Sequence, residues 1–254
     1  MITELPPDQR ATLRPLFDGF PGLHGCLHAA FEGTIGRAWV DHAARPTVAR
    51  VDLDFNFLAG DAGSSVAEEL VRSIDAFPAY FAVSNERWPP LLRRVFGDRL
   101  SERTRVAFAQ PAQWNRDRLR GFFDTLPSGF VLKRINPTDA ARFTELADSL
   151  TYNFESLTDF IQRGVGYGIE HDGRFVSGCS SFAISSHSLE FEIQTHPDFR
   201  QRDLASATAA RMIEHCIQSG LEPCWDAHNE ISAALAAKLG FADPKPYTSY
   251  EVAV

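Results

Sequence analysis

The sequence lacks several features that would place it in a specialised class of protein. It has only four cysteines among 254 residues, and no two of them form a CxxC pair. Such thiols are typically reduced, so neither disulfides nor a cysteine-based metal site is expected. No apolar run approaches the length of a membrane span. The opening segment MITELPPDQR has no apolar core of a signal peptide, so we expect a cytoplasmic protein.

Positive charge is also scarce. The chain carries 25 Lys and Arg against 33 Asp and Glu, a formal net charge of -8. A broad nucleic-acid surface needs a basic face, so neither nucleic acid nor membrane is expected as a partner. The segment HGCLH (24–28) offers three metal-ligating residues without a fourth, which predicts no metal. An acidic protein still binds an anionic cofactor where donors are concentrated locally.

Strand-like and helix-like patterns alternate along the chain, which predicts an α/β fold with a mixed sheet. The predicted helices are 64–74, 88–97, one after NPTD (136–139), 154–163, 203–219 and 230–239. The predicted strands are 36–40, 47–58, 79–83, 103–109, 130–135, 166–171, 174–183, 188–195, 222–227 and 247–253. Proline and glycine punctuate 123–143, so we predict two domains, 1–125 and 126–254.

The two halves of the sequence contain segments with similar residue patterns. The segment PAYFAVSNERWPPLLRRVFGD (78–98) parallels PCWDAHNEISAALAAKLGFAD (223–243), and strand–loop–helix segments precede both. Either the N-terminal half is a degenerate copy of the C-terminal half, or two unrelated βαβ units have converged by chance. Only the C-terminal half has an arginine-rich loop, so we assign the chemistry to it.

That loop, RQRDLAS (200–206), lies between a predicted strand and a long amphipathic helix. The first N–H groups of a helix have no internal partner and carry the positive end of the helix dipole, so they form a seat for pyrophosphate. Arg200 and Arg202 add full charges. Asp203 places an anion at the same position, where we expect it to cap the helix through the Ser206 N–H or to turn outward.

THPDFRQRDLASATAARMI (195–213) resembles motif A of the GNAT superfamily of N-acetyltransferases, whose loop reads Arg/Gln-x-x-Gly-x-Gly/Ala. WDAHNEISAALAAKLGF (225–241) resembles the motif that follows it, and the two together, with YTSYEV (247–252), resemble zwittermicin-type resistance acetyltransferases. The resemblance covers about residues 128–254. It implies a C-terminal GNAT fold, an additional N-terminal α/β half and acetyl-CoA as cosubstrate.

By position, the resemblance assigns roles to individual residues. The backbone of a strand end holds the pantetheine arm, the loop and the first turn of the helix meet the pyrophosphate, and two residues lie near the thiol. The residues expected at the pantetheine arm are Ile193, Gln194 and Thr195. Those expected at the pyrophosphate are Arg200, Gln201, Arg202, Asp203, Leu204, Ala205 and Ser206. Those expected near the thiol are Asn229 and Ser232.

The sequence departs from the family pattern at two positions. Asp203 replaces the loop glycine, and Ala236 stands where many members have a tyrosine that protonates the leaving thiolate. Tyr247 and Tyr250 on the last predicted strand are candidate substitutes for that tyrosine, although packing on an edge strand explains such residues equally well.

Acetyl transfer to an amine needs a group that accepts a proton. Glu190 and Glu192 are two residues apart on the predicted strand 188–195, so they face the same way. Glu192 is the candidate general base because the resemblance places a glutamate at this position near the thioester, and Glu190 is the second candidate. The alternative is that both are ordinary solvated strand residues. The expected activity is acetyl-CoA-dependent acetylation of a primary amine on a small molecule, with a homodimer as a further candidate assembly. The alternative is a non-catalytic acyl-CoA-binding or regulatory module.

Overall fold

The computed structural model describes residues 2–254 and divides them into two compact units. The first comprises the residues up to Ala107 together with Lys245–Val254, and the second comprises Phe108–Pro244. The division predicted after residue 125 differs in two respects. The change of unit comes earlier, and the last ten residues belong to the first unit, which a linear division of the sequence does not anticipate.

The first unit contains a mixed sheet in the strand order β1-β2-β3-β4-β5-β12-β6. Its strands are β1 (Thr3–Glu4), β2 (Arg37–Val40), β3 (Val48–Asp52), β4 (Phe55–Gly60), β5 (Ala79–Val83), β6 (Leu100–Ala109) and β12 (Ala242–Val252), of which β6 and β12 continue into the second unit. Its helices are α1 (His24–Phe31), α2 (Ser65–Arg72) and α3 (Trp88–Phe96), with 3-10 helices at Pro7–Phe17 and Gly97–Arg99.

The single strand predicted over 47–58 is wrong, because two antiparallel strands, β3 and β4, occupy this segment. The reversal at 53–54 is closed by a hydrogen bond from Leu53 N–H to the Phe55 carbonyl. No glycine or proline marks this turn, so the alternation of apolar residues continues through it. The helices at Pro7–Phe17 and His24–Phe31 were also not predicted, since neither has a strong apolar period.

The second unit contains a five-stranded sheet in the order β7-β8-β9-β10-β11. Its strands are β7 (Val131–Arg134), β8 (Gly166–His171), β9 (Arg174–Ile184), β10 (Ser188–Thr195) and β11 (Glu222–Ala227). Its helices are α4 (Arg116–Phe123), α5 (Ala140–Thr144), α6 (Leu157–Arg163), α7 (Leu204–Ser219) and α8 (Glu230–Leu239), with 3-10 helices at Asp148–Leu150 and Pro197–Phe199.

Helix α7 is the central helix of the second unit. Four residues of its predicted apolar face, Ala209, Met212, Ile213 and Cys216, are fully inaccessible to solvent, whereas Ala205 and Ile217 of the same face are half-buried. The unpredicted helix α4 is held against it by Glu214, which is buried and accepts hydrogen bonds from Arg116 and Arg120. This packing fixes the direction of α7 and therefore the position of its first turn. No helix among residues 2–254 combines the length and the apolar character that crossing a bilayer requires.

Candidate active site

A groove of about 810 Å³ opens in the second unit at the start of α7. Three segments form its walls: the end of β10, the loop and first turn of α7, and one side of α8 with the strand before it. The lining residues are Ile193, Gln194, Thr195, Phe199, Arg200, Gln201, Asp203, Leu204, Ala205, Ser206, Trp225, His228, Asn229, Ile231, Ser232, Ala234, Leu235 and Lys238. Most of the predicted cofactor-binding residues therefore lie on one groove.

The groove exists because β10 and β11 diverge. Their parallel pairing covers only Ser188–Glu190 against Glu222–Cys224, whereas the antiparallel pairing of β10 with β9 extends to Thr195. A register shift follows Glu190, the last residue paired with β11. Beyond it, the side of β10 facing away from β9 is open to an extended ligand that bonds to the backbone as an added strand.

The loop before α7 adopts a left-handed backbone conformation at two residues. Gln201 has φ 61° and Asp203 has φ 60°, the region in which glycine is favoured and Asp is among the better-tolerated residues. The first helical bond of α7 runs from Ala207 N–H to the Asp203 carbonyl. The N–H groups of Leu204–Ser206 precede this bond, and they form the positive end of a 16-residue helix at the groove.

The prediction that Asp203 caps α7 through the Ser206 N–H is wrong. The Asp203 side chain makes no capping bond, because an N-cap side chain works from an extended backbone and Asp203 is left-handed. Its carboxylate instead pairs with the Lys238 ammonium of α8, 35 residues later in the chain. The alternative expectation, that this side chain turns away from the helix, is the one observed, and the N–H groups of α7 remain available.

The two loop arginines have different environments. Arg200 lines the groove, and its Nε donates to the Thr195 carbonyl at 3.4 Å. The Arg202 guanidinium lies over the Phe199 ring, 5.4 Å from the centroid, and is not part of the groove lining among residues 2–254. Lys238, which the sequence analysis did not propose, supplies a second cation at the groove.

The residues at the start of α8 have structural roles in addition to their position on the groove. Asn229 caps α8 by accepting from the Ser232 N–H at 2.9 Å, and its Nδ2 is 2.8 Å from His228 Nε2. The Ser232 hydroxyl accepts from Trp225 Nε1 at 3.2 Å. These contacts fix the wall of the groove opposite β10.

The two candidate carboxylates on β10 differ in exposure. Glu190 is buried, with 3% of its surface exposed, and lies at the point where β10 and β11 separate. Glu192 is half-buried and accepts a hydrogen bond of 2.8 Å from Gln194 Nε2. Glu192 lies opposite Ser180 in the sheet, and Ser180 lies opposite Gly166. The space beside Gly166 is filled by Phe160 and Phe143, so Glu192 is on the sheet face that α5 and α6 cover.

Tyr247 and Tyr250 belong to the segment that completes the first unit. Tyr250 is buried in the hydrophobic core of that unit and lies opposite Phe81 of β5, while burial raises the pKa of its phenol. Tyr247 is half-buried. The environment of Tyr250 is that of a core residue, which does not suit the proton-donor role expected of it. Ala236, at the position of the family tyrosine, is fully buried.

A protein-family model described as GNAT acetyltransferase matches residues 14–250. The chain belongs to this family. An uncharacterized N-acetyltransferase of Bacillus subtilis (strain 168), YdfB, is 32% identical over 206 residues, which cover 76% of each chain. The GNAT family uses acetyl-CoA as a cosubstrate, and the protein is accordingly an N-acetyltransferase rather than the non-catalytic module considered above.

Solved structures agree with this assignment. A GCN5-related N-acetyltransferase-like protein from Streptococcus suis 89/1591 is 31% identical, with a TM-score of 0.84, and the match covers 96% of this chain and 98% of that one. A tandem GNAT protein from the clavulanic acid biosynthesis pathway shares the fold at 14% identity, with a TM-score of 0.57 and coverage of 99% and 97%. The predicted α/β class with a mixed sheet is confirmed.

Several groove residues were absent from the sequence-based prediction, and one signal would have revealed three of them. Ile231, Leu235 and Lys238 follow the spacing i, i+4, i+7, which places them on one face of α8. Ile231 is 82% exposed, an unusual environment for a large apolar side chain in a regular helix. Once the GNAT motif had located α8, this spacing indicated the face that borders the groove.

Proposed function

We propose that this groove binds acetyl-CoA and that the protein transfers the acetyl group to the primary amine of a small molecule. The observation that supports this proposal best is the combination of two features in one groove. A strand edge is opened by the divergence of β10 and β11, and the start of α7 has no side-chain cap. An extended amide-bearing chain that ends in a diphosphate complements both features.

At the diphosphate end, the residues present fit an anion. The N–H groups of Leu204, Ala205 and Ser206 are the donors, and Arg200 and Lys238 are the nearby cations. Asp203 pairs with Lys238 and does not occupy the helix N-terminus. The ion pair is partly exposed, with 73% of the Asp203 and 39% of the Lys238 side-chain surface accessible, so both groups can reorganise around a ligand. Arg202 then contributes through its long-range field, in place of the direct contact first expected.

Along the strand edge, the backbone of Ile193, Gln194 and Thr195 is the partner for the pantetheine arm. The apolar side chains of Ile231 and Leu235 form the facing wall. Ile231 is highly exposed on the groove, and covering it with the arm of the cosubstrate removes apolar surface from water.

The proposed reaction is direct attack of a neutral amine on the thioester that acetyl-CoA supplies. A C–N bond forms, the C–S bond breaks, and the thiolate leaves. Glu192 accepts the proton from the amine, directly or through a water molecule, because it is the half-buried carboxylate two residues beyond the last β10–β11 pair. Backbone N–H groups near Gln194 stabilise the charge that develops on the carbonyl oxygen. The more deeply buried Glu190 is the second candidate base.

The acceptor amine is proposed to bind on the sheet face that α5 and α6 cover. Tyr152 is 46% exposed and its ring meets Phe182 at 6.0 Å, while Asn153 Nδ2 donates to the Phe182 carbonyl at 3.1 Å. Phe154 is buried in the core beneath them. The resemblance to zwittermicin-type resistance acetyltransferases supports a small amine-bearing metabolite as the acceptor, rather than a protein lysine.

Calorimetry with acetyl-CoA tests the binding step, and thiol release with a panel of small amines and lysine peptides tests the reaction. We expect Glu192→Gln to lower kcat by about 100-fold while the affinity for acetyl-CoA stays within about twofold. The matched control is Glu222→Gln, an exposed glutamate of the same unit whose replacement leaves kcat unchanged.

The outcomes separate the parts of the proposal. Absence of acetyl-CoA binding at millimolar concentration contradicts the assignment of the groove. Normal binding with unchanged kcat in Glu192→Gln removes Glu192 as the base and leaves the groove intact. Faster turnover with peptides than with every small amine contradicts the acceptor class.

A further inference from the structure

The second unit contains another cavity, of about 780 Å³, which shares no lining residue with the acetyl-CoA groove. It lies between the edge strand β7, the segment that joins α4 to β7, and the middle of α7. We call it the β7 pocket. Cationic side chains and aromatic rings meet in this pocket.

Arg211 of α7 is the central residue of the β7 pocket. Its guanidinium lies over the Tyr167 ring at 4.7 Å and near the Phe123 ring at 5.9 Å. Its Nη1 atom is buried and has no hydrogen-bond partner among residues 2–254, and no carboxylate in that range forms an ion pair with it. A buried guanidinium N–H without an acceptor is costly. Arg211 as a whole is half-buried and lines the pocket, so a ligand there can supply an acceptor to the guanidinium.

Two further groups extend this positive region. Arg134 of β7 is exposed, lies opposite Tyr167 in the sheet, and has no ion pair in the described part of the chain. The Tyr167 hydroxyl is 3.4 Å from His215 Nδ1. The pKa of His215 is lowered mainly by burial and further by the charges of Arg134 and Arg211, which favours the neutral ring at pH 7. When Nδ1 accepts from Tyr167, Nε2 carries the proton and is a further donor.

The other charged residues of the lining do not cancel this field. Lys133 is paired with Asp139 and Glu170. Asp124 is the one acidic residue in the lining, against two arginines without an ion pair among residues 2–254. The rest of the lining contains Gln218 and the apolar side chains of Phe123, Leu126, Phe130, Val131 and Leu132.

We propose that the β7 pocket is a second ligand site, which binds an organic carboxylate with an apolar body. The carboxylate accepts from Arg211 and Arg134, since a guanidinium fork matches carboxylate geometry. The apolar body lies against the aromatic and aliphatic wall. The site is separate from the acetyl-CoA groove and does not depend on the function proposed above.

Titration of the protein with benzoate, followed by the NMR signals of the His215 imidazole and by calorimetry, tests this proposal. We expect saturable shifts at His215 and a Kd of about 1 mM or tighter. Arg211→Gln and Arg134→Gln each weaken binding by about tenfold, the loss expected for one charge-assisted hydrogen bond. Because Arg211 also packs against two rings, the exposed Arg134 keeps the test valid if Arg211→Gln unfolds.

The controls distinguish a carboxylate site from simpler explanations. Arg118→Gln removes the same charge from an exposed position on α4 and leaves the benzoate affinity unchanged. Benzamide, a neutral analogue, binds at least tenfold more weakly than benzoate. Equal binding of benzamide, tighter binding of inorganic phosphate, or unchanged benzoate affinity in both pocket variants overturns the proposal.

Discussion

The two units arrange their strands in the same order, but they differ in where one parallel pair of strands separates. In the first unit β2, β3 and β4 are antiparallel neighbours and β5 is parallel to β4, with α2 between β4 and β5. In the second unit β8, β9, β10 and β11 repeat this arrangement, with α7 between β10 and β11. The β4–β5 pairing continues to Leu58 and Val83, whereas the β10–β11 pairing stops at Glu190. The same strand order therefore gives a closed sheet in the first unit and an open groove in the second.

The residues around the gap differ accordingly. In the first unit Asn85 Nδ2 donates to the Gly60 carbonyl at 3.2 Å, and Ser64 caps α2 by accepting from Ala67 N–H. In the second unit the matching Asn229 bonds within its own segment, to Ser232 and His228, and α7 has no side-chain cap. Shared topology is thus insufficient to form the groove that we propose for acetyl-CoA, which also needs a strand and a helix end left open.

The largest effect is expected from filling the open gap. Ala205 is at the second helical position of α7 and lines the groove, so Ala205→Tyr places a ring where the diphosphate is proposed to bind. We expect calorimetry to show a loss of acetyl-CoA affinity of at least about 100-fold, the equivalent of two or more charged hydrogen bonds.

Ser65→Tyr is the matched change, at the exposed first turn of α2 in the closed unit. It is expected to leave acetyl-CoA affinity unchanged. If both tyrosine variants weaken binding equally, the contrast between an open and a closed unit is wrong.

An effect of intermediate size is expected from breaking the ion pairs that join α4 to α7 in the second unit. Each unit joins two helices through a glutamate with two arginines, Glu214 in the second and Glu68 in the first, but Glu214 is 3% exposed and Glu68 33%. Glu214→Gln is expected to lower the free energy of unfolding by about 2 kcal/mol, because a buried charged hydrogen bond is lost. Glu68→Gln is expected to have a smaller effect, since exposed ion pairs contribute little.

The pH dependence of unfolding gives an independent check on the role of the Glu214 ion pairs. The hydrogen bond from Arg116 is the main cause that lowers the pKa of Glu214 below its usual value of 4.5. The contribution of this carboxylate is therefore complete above that pH and is lost as the pH falls through the lowered pKa. Urea unfolding from pH 7 down to pH 3 should show the difference between wild type and Glu214→Gln narrowing in acid. A constant difference would contradict the proposed role of the ion pair.

The smallest effect concerns Asp203. Asp203→Asn keeps a residue that tolerates the left-handed backbone and releases Lys238 for the ligand, so acetyl-CoA affinity is expected to rise by about threefold at low salt. Asp203→Gly should act in the same direction. Lys238→Met should weaken binding, and combining it with Asp203→Asn should cancel the gain. Tighter binding of Asp203→Asn in the Lys238→Met background would show that the carboxylate competes for the groove directly.

Much of the second unit could be predicted from the sequence because its signals are local. The burial of most of the apolar face of α7, the start of α8 at Asn229 and the loop that precedes α7 all follow from spacing and capping within about 20 residues. The orientation of Asp203 could not be predicted, since it depends on Lys238, 35 residues later.

Long-range pairing also limits what the sequence indicates about the late strands. Tyr250 was proposed as a proton donor because it is on the last strand, but that strand pairs with β5 and places Tyr250 in the core of the first unit. Sequence spacing gives no information on which earlier strand a late segment joins. The role of Glu192 as the base remains a prediction for the same reason, since it depends on a substrate bound between distant elements.

The pairing of β12 with β5 also has a consequence for biosynthesis. The ribosome completes β5 well before Lys245–Val254 emerges, and until then β5 keeps one row of backbone donors and acceptors exposed. The first unit is therefore finished only after the second has been translated, the reverse of the usual N-terminal-first order. For most of its synthesis the nascent chain therefore exposes an unpaired strand edge, and we expect chaperones at the exit tunnel to bind it.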